Sequence, residues 1–139
     1  MNKVIFSSKD DIWSTPQTFF NQLNEEFQFT LDACASPENA KCKLYFTPET
    51  DGLVQDWSGH TVFVNPPYGK KITEWVEKCY IESRKENTKV VMLIPARTDT
   101  IYFHRFIYKN AREIRFIKGR LKFGNASNSA LFPSMVVIF

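Results

Sequence analysis

Residues 61–71 read "TVFVNPPYGKK", and the fold turns on how this stretch is read. Thr61–Val64 are β-branched or aromatic, as a strand requires. Pro66 and Pro67 follow at once and have no N–H to give a sheet ladder, so the strand must stop at Asn65. The residue before each proline is also pushed away from helical geometry, which holds the turn extended. An asparagine, two proline-flanked carbonyls and the ring of Tyr68 are thereby held at a strand end.

Working outward, "STPQTFFNQLNEEFQF" (14–29) reads as a helix, with Ser14 or Thr15 as cap, Pro16 in the first turn, and Phe19, Phe20, Leu23 and Phe27 as the buried face. "FTLDACA" predicts a short strand ending near Asp32; a short helix around Glu38–Lys41 and a strand at Lys43–Phe46 follow. "KKITEWVEKCYIESRKEN" (70–87) predicts a helix that buries Ile72, Trp75, Val76 and Cys79. "KVVMLIP" (89–95) is a continuous apolar run, as in a strand covered on both faces. Residues 100–110 read as helical, and "EIRFIKG" and "SMVVIF" as two closing strands. Alternating elements with apolar strands predict an α/β fold with a mostly parallel sheet. The last two strands have no room for a crossover helix, so an antiparallel C-terminal strand is expected. In such sheets ligands bind beyond the carboxyl ends of the strands, so Asp32, Asn65–Tyr68 and Pro95–Asp99 should share one edge.

Composition bounds the partners. The 139 residues suffice for one domain, read as 1–139, with 43% hydrophobic residues and 13 Phe. Neither an N-terminal signal segment nor a membrane-length apolar run is seen, so a cytoplasmic location (bacterial, or a phage-infected host) is expected. Cys34, Cys42 and Cys79 form no C-x-x-C pair and read as reduced, buried small side chains; His60 and His104 lack a ligand cluster, so no metal is expected. Residues 1–69 carry four basic and nine acidic side chains, and residues 70–139 carry fourteen and six. Between Arg97 and Lys122 there are eight basic residues against Asp99 and Glu113. A basic stripe of this kind is the footprint expected of a nucleic-acid binder, although a solvated surface produces the same count.

The Asn-Pro-Pro-Tyr turn answers a specific chemical need. The lone pair of an exocyclic amine such as adenine N6 is delocalised into its ring, which makes it a poor nucleophile. Two acceptors aimed at its two N–H bonds, the side-chain oxygen of Asn65 and the carbonyl of Pro66, would localise that lone pair. Tyr68 would stack on the ring. A methyl donor opposite the nitrogen completes the requirement, helped by positioning and fixed dipoles.

"WSTPQTFF", "LDACASPENAKC", "DGLVQDW", "VFVNPPYG", "LIPARTDT" and "GRLKF" occur in this order. Together they resemble the small phage-type DNA N-6-adenine-methyltransferases, which depend on S-adenosylmethionine. The resemblance implies a Rossmann-like methyltransferase domain, a three-layer sandwich with no separate target-recognition domain. It implies that Asn65, Pro66, Pro67 and Tyr68 hold a target adenine flipped out of DNA, and that Thr15, Pro16, Asp32, Ala33, Asp51 and Asn65 hold the cofactor. Thr15 and Pro16 would lie over its methionine end, Asp32 would take its amino group, and Asp51 its adenine. The family's Phe-x-Gly-x-Gly segment is here "DACAS", and no glycine stands between Asp32 and Gly52. The acidic ribose ligand after the second strand is also missing, with Glu49 a weak candidate. Asn-Pro-Pro-Tyr also serves RNA adenine and protein glutamine methyltransferases, and the altered loop admits an inactive nucleic-acid-binding module on the same fold. The structural alternatives are a plain strand stop at Pro66–Pro67, a helix-capping Asp32, and Trp57 and Trp75 as core.

Arg97, Arg120 and Lys122 are the expected DNA-binding side chains, the last two entering "GRLKFGNASNSALFPS" (119–134) on one side of a strand. Replacing both Arg120 and Lys122 with Ala should weaken DNA binding. It should also flatten the salt dependence by about one log–log unit for each phosphate that is no longer neutralised. An unaltered salt slope in a titration of the double variant would leave both as ordinary surface residues.

Overall fold

A computed structural model describes residues 14–123 and 132–139. Five strands form one mixed sheet: β1 (Leu31–Asp32), β2 (Thr61–Val64), β3 (Lys89–Pro95), β4 (Glu113–Phe116) and β5 (Ser134–Ile138). Their spatial order is β1-β2-β3-β5-β4. β1, β2 and β3 are parallel, with Asp32 opposite Phe63 and Phe63 opposite Val91. β5 runs antiparallel to both β3 and β4. The α/β class and the antiparallel closing strand are therefore as expected.

The apolar run of β3 is explained by what covers it. Val90, Met92 and Ile94 face α2 (Ile72–Ser83), where Trp75, Val76 and Cys79 are buried against them. Val91 and Leu93 face the other way, onto Phe20 and Leu23 of α1 (Gln17–Phe27), together with Phe63, Val136 and Ile138. A strand buried on both faces cannot alternate apolar with polar residues. Successive side chains of one strand thus feed two cores, in three layers.

Several local expectations are corrected. Neither Ser14 nor Thr15 caps α1: Pro16 is the N-cap residue, no side chain caps the helix, and the Pro16 carbonyl accepts from Phe20 N at 3.0 Å. The helix expected at Glu38–Lys41 is a turn, in which Asn39 Oδ1 accepts from Ser36 N at 2.7 Å. The strand expected at Lys43–Phe46 shrinks to one parallel bridge between Tyr45 and Asp32. The helical reading of 100–110 holds over 101–107, where Phe103–Ile107 winds as a π-helical turn. β4 ends at Phe116, so Arg120 and Lys122 lie beyond the strand. They are exposed, while Phe123 is buried. The middle of the 119–134 connection lies outside the described residues.

The parallel strands set their carboxyl ends side by side, and "DGLVQDW" is clamped against that edge. A Cβ on Gly52 would stand 2.2 Å from the Ala33 carbonyl oxygen, so only glycine allows this approach. Fully buried Trp57 donates from its indole nitrogen to the Gly52 carbonyl at 3.0 Å. Its backbone N–H donates to Glu82 Oε1 at 2.7 Å. Burial alone would raise the Glu82 pKa. Its bonds to Lys85, Trp57 N and Lys78 outweigh that and hold the carboxyl below its ordinary value.

Gly52→Ala should force this turn off β1 and lower stability by about 1–3 kcal/mol, the usual cost of overpacking. Urea denaturation checks this, and an unchanged midpoint would mean that the turn is not held against Ala33.

Candidate active site

Two adjoining cavities open at the carboxyl edge of β1 and β2. The first, about 200 Å³, is lined by Thr15, Asp32, Ser36, Asn39, Lys41 and Asn65 among others. The second, about 170 Å³, has Ala33, Asp51, Leu53, Lys71 and Trp75 in its wall. Cys34, Pro48 and Pro67 belong to both, so the cavities share one partition. Of the residues expected to hold a cofactor, Thr15, Asp32 and Asn65 meet in the first cavity, and Ala33 and Asp51 in the second. Pro16 lines neither.

Asn65 stands where the prolines end β2. Its Nδ2 donates to Thr15 Oγ1 at 2.9 Å, across 50 residues of chain. The Tyr68 hydroxyl lies 2.7 Å from Asn65 Oδ1 as donor and 3.2 Å from the Leu93 carbonyl of β3. Pro66 is buried. The expectation that Tyr68 offers its ring to a base meets a different arrangement. Tyr68 lines neither cavity, and its ring packs T-shaped against Phe123 and Phe132 at 6.2 and 5.6 Å. Burial pushes the phenol pKa far up, so the hydroxyl keeps its proton. The hydroxyl, for which ring stacking has no use, is tied into the site.

Asp32 is 3% exposed. Burial raises its pKa to about 6, against the lowering effect of backbone N–H groups of Lys41 at 2.9 Å and Cys34 at 3.4 Å. No lysine or arginine side chain lies within salt-bridge distance of it among the described residues. A carboxylate held this way at a cavity wall is poised for a cationic ligand group. Asp51 has a positive φ of 56° and accepts from Leu53 N at 3.1 Å, which turns the chain at the second cavity. Burial, with Asp32 nearby, raises the Cys34 thiol to about 12, so it is not a thiolate in the partition.

Sequence reasoning misses Ser36, Asn39 and Lys41 as wall residues. The signal is present in "SPEN", whose serine and asparagine suit an Asx-type turn as well as a helix start. Trp75, expected as core, is 5% exposed and also lines the second cavity. Arg97 is exposed two residues past β3, at the same edge. β4 runs in the direction of β3, so Arg120 and Lys122 also leave the sheet on this side. None of the three lines either cavity.

A mixed α/β sheet that gathers a buried acidic residue and an Asn-Pro-Pro-Tyr turn at one strand-end edge has the form of a methyltransferase. The chain belongs to the DNA N-6-adenine-methyltransferase (Dam) family, whose model matches residues 3–139. It is 34% identical over 140 residues to the DNA N-6-adenine-methyltransferase of Haemophilus phage HP1 (strain HP1c1), covering 95% of this chain and 80% of that protein. It is 35% identical over 113 residues to the DNA N-6-adenine-methyltransferase of Escherichia phage T1, covering 80% of this chain and 46% of that longer protein. The activity is thus methylation of adenine in DNA, as the resemblance implied. Among the described residues no helix is long and apolar enough to cross a membrane.

The raised Asp32 pKa has a consequence for stability. A group whose folded pKa lies above its unfolded value contributes stability at low pH, and this is lost as pH rises through the folded pKa. Here the window runs from about pH 4 to just above pH 6. The difference in unfolding free energy between the parent and Asp32→Asn should therefore change by about 3 kcal/mol across it. A pH-independent difference in denaturation experiments would show Asp32 ionised throughout.

Proposed function

We propose that the protein moves a methyl group from S-adenosylmethionine to the N6 amine of an adenine turned out of duplex DNA into the Asn65–Tyr68 turn. The observation that carries this reading is the position of Asn65: its amide lines the same cavity as the buried Asp32 carboxylate, with Thr15 in that wall and bonded to it. The donor set fits the cofactor. Asp32 suits its ammonium group, and the cavity of Asp51, Leu53 and Trp75 suits a flat ring with an edge to hydrogen-bond. Thr15 and Asn65, in the first wall, would face the methionine end of the cofactor, with Ala33 in the second wall.

When bound, the cofactor supplies an electrophilic methyl group on a sulfonium sulfur. The residues of the chain do the rest. Asn65 Oδ1 accepts one hydrogen of the target amine and the Pro66 carbonyl the other, which concentrates the lone pair on nitrogen. The amine would take the methyl group as that group's bond to sulfur breaks, leaving a neutral thioether, and the cationic nitrogen would then lose one proton to solvent water. Pro67 stiffens the turn and forms part of the cavity partition, and the Tyr68 hydroxyl yields Asn65 Oδ1 to the amine. Flipping the base costs a few kcal/mol. Arg97, Arg120 and Lys122, paired with phosphates at the same edge, offset part of that cost.

The three-layer sheet supports a Rossmann-like reading of residues 1–139 as one catalytic domain, with target recognition left to its own loops.

Labelled methyl transfer to DNA, RNA and protein substrates tests the reading. DNA adenine should be labelled, and Asn65→Ala should lower turnover by about 100-fold or more while the fold persists and cofactor affinity changes far less. Turnover within about tenfold of the parent would overturn the role of Asn65.

A further inference from the structure

A third cavity opens at the other edge of the sheet, where β2 and β3 begin. It is an open cleft of about 670 Å³, and Arg84, Lys85, Lys89 and Arg112 line it with Thr61 and Asn87 among others. Separate elements bring these cations together. Arg84 stands at the carboxyl end of α2, and Lys89 opens β3. Arg112 stands just before β4, its backbone N–H donating to the Ile138 carbonyl at 2.7 Å. Arg112 belongs to the basic stretch between Arg97 and Lys122, yet the strand register sets it at the edge opposite Arg97.

Most of this charge is uncompensated. Among the described residues, Arg84, Lys89 and Arg112 have no carboxylate within salt-bridge distance, whereas Lys85 is paired with Glu82 and Asp56. Glu26, whose carboxyl feels Lys89, is taken by two bonds of 2.7 Å from Arg115. Arg84 and Lys89 lie over the rings of Tyr80 and Phe27, at 5.5 and 5.7 Å, which orients them and neutralises no charge. Among the described residues no acidic side chain lines the cleft, so an anion seated there relieves the repulsion of like charges. No aromatic ring lines it either, so it offers no platform for an unstacked base. Guanidinium, ammonium, hydroxyl and amide groups on an open surface suit phosphate oxygens, the contacts that hold a duplex without reading its bases.

Resting on the reading above, in which the target base is taken at the carboxyl edge, we propose that this cleft binds the phosphate backbone of a second segment of duplex DNA. β3 crosses the sheet from one edge to the other in seven residues, a separation of about 20 Å. The two edges face opposite ways, so a straight duplex lying along one cannot fill the other. A chain that fills both bridges two segments, and it stays on long DNA when the carboxyl edge lets its own segment go.

The test compares the parent with a triple variant, Arg84→Gln, Lys89→Gln and Arg112→Gln; Lys85 stays because it serves Glu82. Each protein is loaded on a bead-bound duplex that the parent methylates. Retention of a fluorescent G·C-only duplex, which has no adenine to methylate, is then read. The parent should retain it, and the triple variant should retain about tenfold less. The salt slope of retention should flatten by about one log–log unit for each cation that met a phosphate. Methylation of a short duplex and the urea midpoint should stay close to the parent's. Arg84→Gln and Arg112→Gln, each alone, should retain an intermediate amount, which a misfolded triple variant could not mimic. A parent that retains no second duplex, or a triple variant that retains it fully, would overturn the proposal. So would a triple variant that loses short-duplex methylation in parallel, since the cleft would then belong to the target site. Release by poly-glutamate as efficient as release by unlabelled duplex would assign the cleft to an acidic protein segment and overturn it. Parent self-association that the triple variant loses in sedimentation would do the same, assigning the cleft to a second copy. Short-duplex turnover kept in Asn65→Ala overturns the carboxyl-edge reading and this inference with it. Failed bridging, with Asn65 still required for turnover, strikes this inference alone.

Discussion

Pro66 and Pro67 cannot extend the sheet, and the site follows from that constraint. β2 pairs with β3 only from Thr61 to Val64, while β3 continues to Pro95. The chain leaving β2 is thus released at the edge while its neighbour still offers a carbonyl, that of Leu93, to the Tyr68 hydroxyl. The turn is held through side chains, Thr15 on one side and Tyr68 on the other. An asparagine set this way has its side chain tied to elements on both sides of the turn.

The second requirement is that the sheet be covered on both faces. α1 and α2 supply separate cores, and each delivers one part of the site. Thr15 stands immediately before Pro16, the N-cap residue of α1, so the packing of Phe20 and Leu23 positions the hydroxyl that meets Asn65. α2 supplies Trp75 to the second cavity and Glu82 to Trp57, whose indole holds the Gly52 carbonyl. The buried carboxylate of Glu82 is stabilised by Lys78 and Lys85. Asp32, equally buried, receives only backbone N–H groups among the described residues. The contrast separates a carboxylate satisfied for structure from one left with capacity for a ligand.

Local sequence is enough wherever a single physical rule decides. The apolar run 89–95 admits only a doubly covered strand, the proline pair admits no ladder beyond Asn65, and the missing crossover between the last two strands leaves only antiparallel pairing. From these the shared edge of Asp32, Asn65 and Pro95 follows. Tertiary structure decides what depends on partners far apart in sequence. Tyr68 packs against Phe123 and Phe132, more than 50 positions away, and its hydroxyl is thereby spent on Asn65. Thr15 has the composition of a helix cap, yet its hydroxyl goes to Asn65. Residues 36–46 carry no clear periodicity, and bonds to distant Asp32, from Lys41 N and through the bridge of Tyr45, give them shape together with the Asn39 turn. Periodicity reports which face of an element is buried. It is silent on which distant side chain will satisfy a given hydroxyl or amide, and here those bonds make the site.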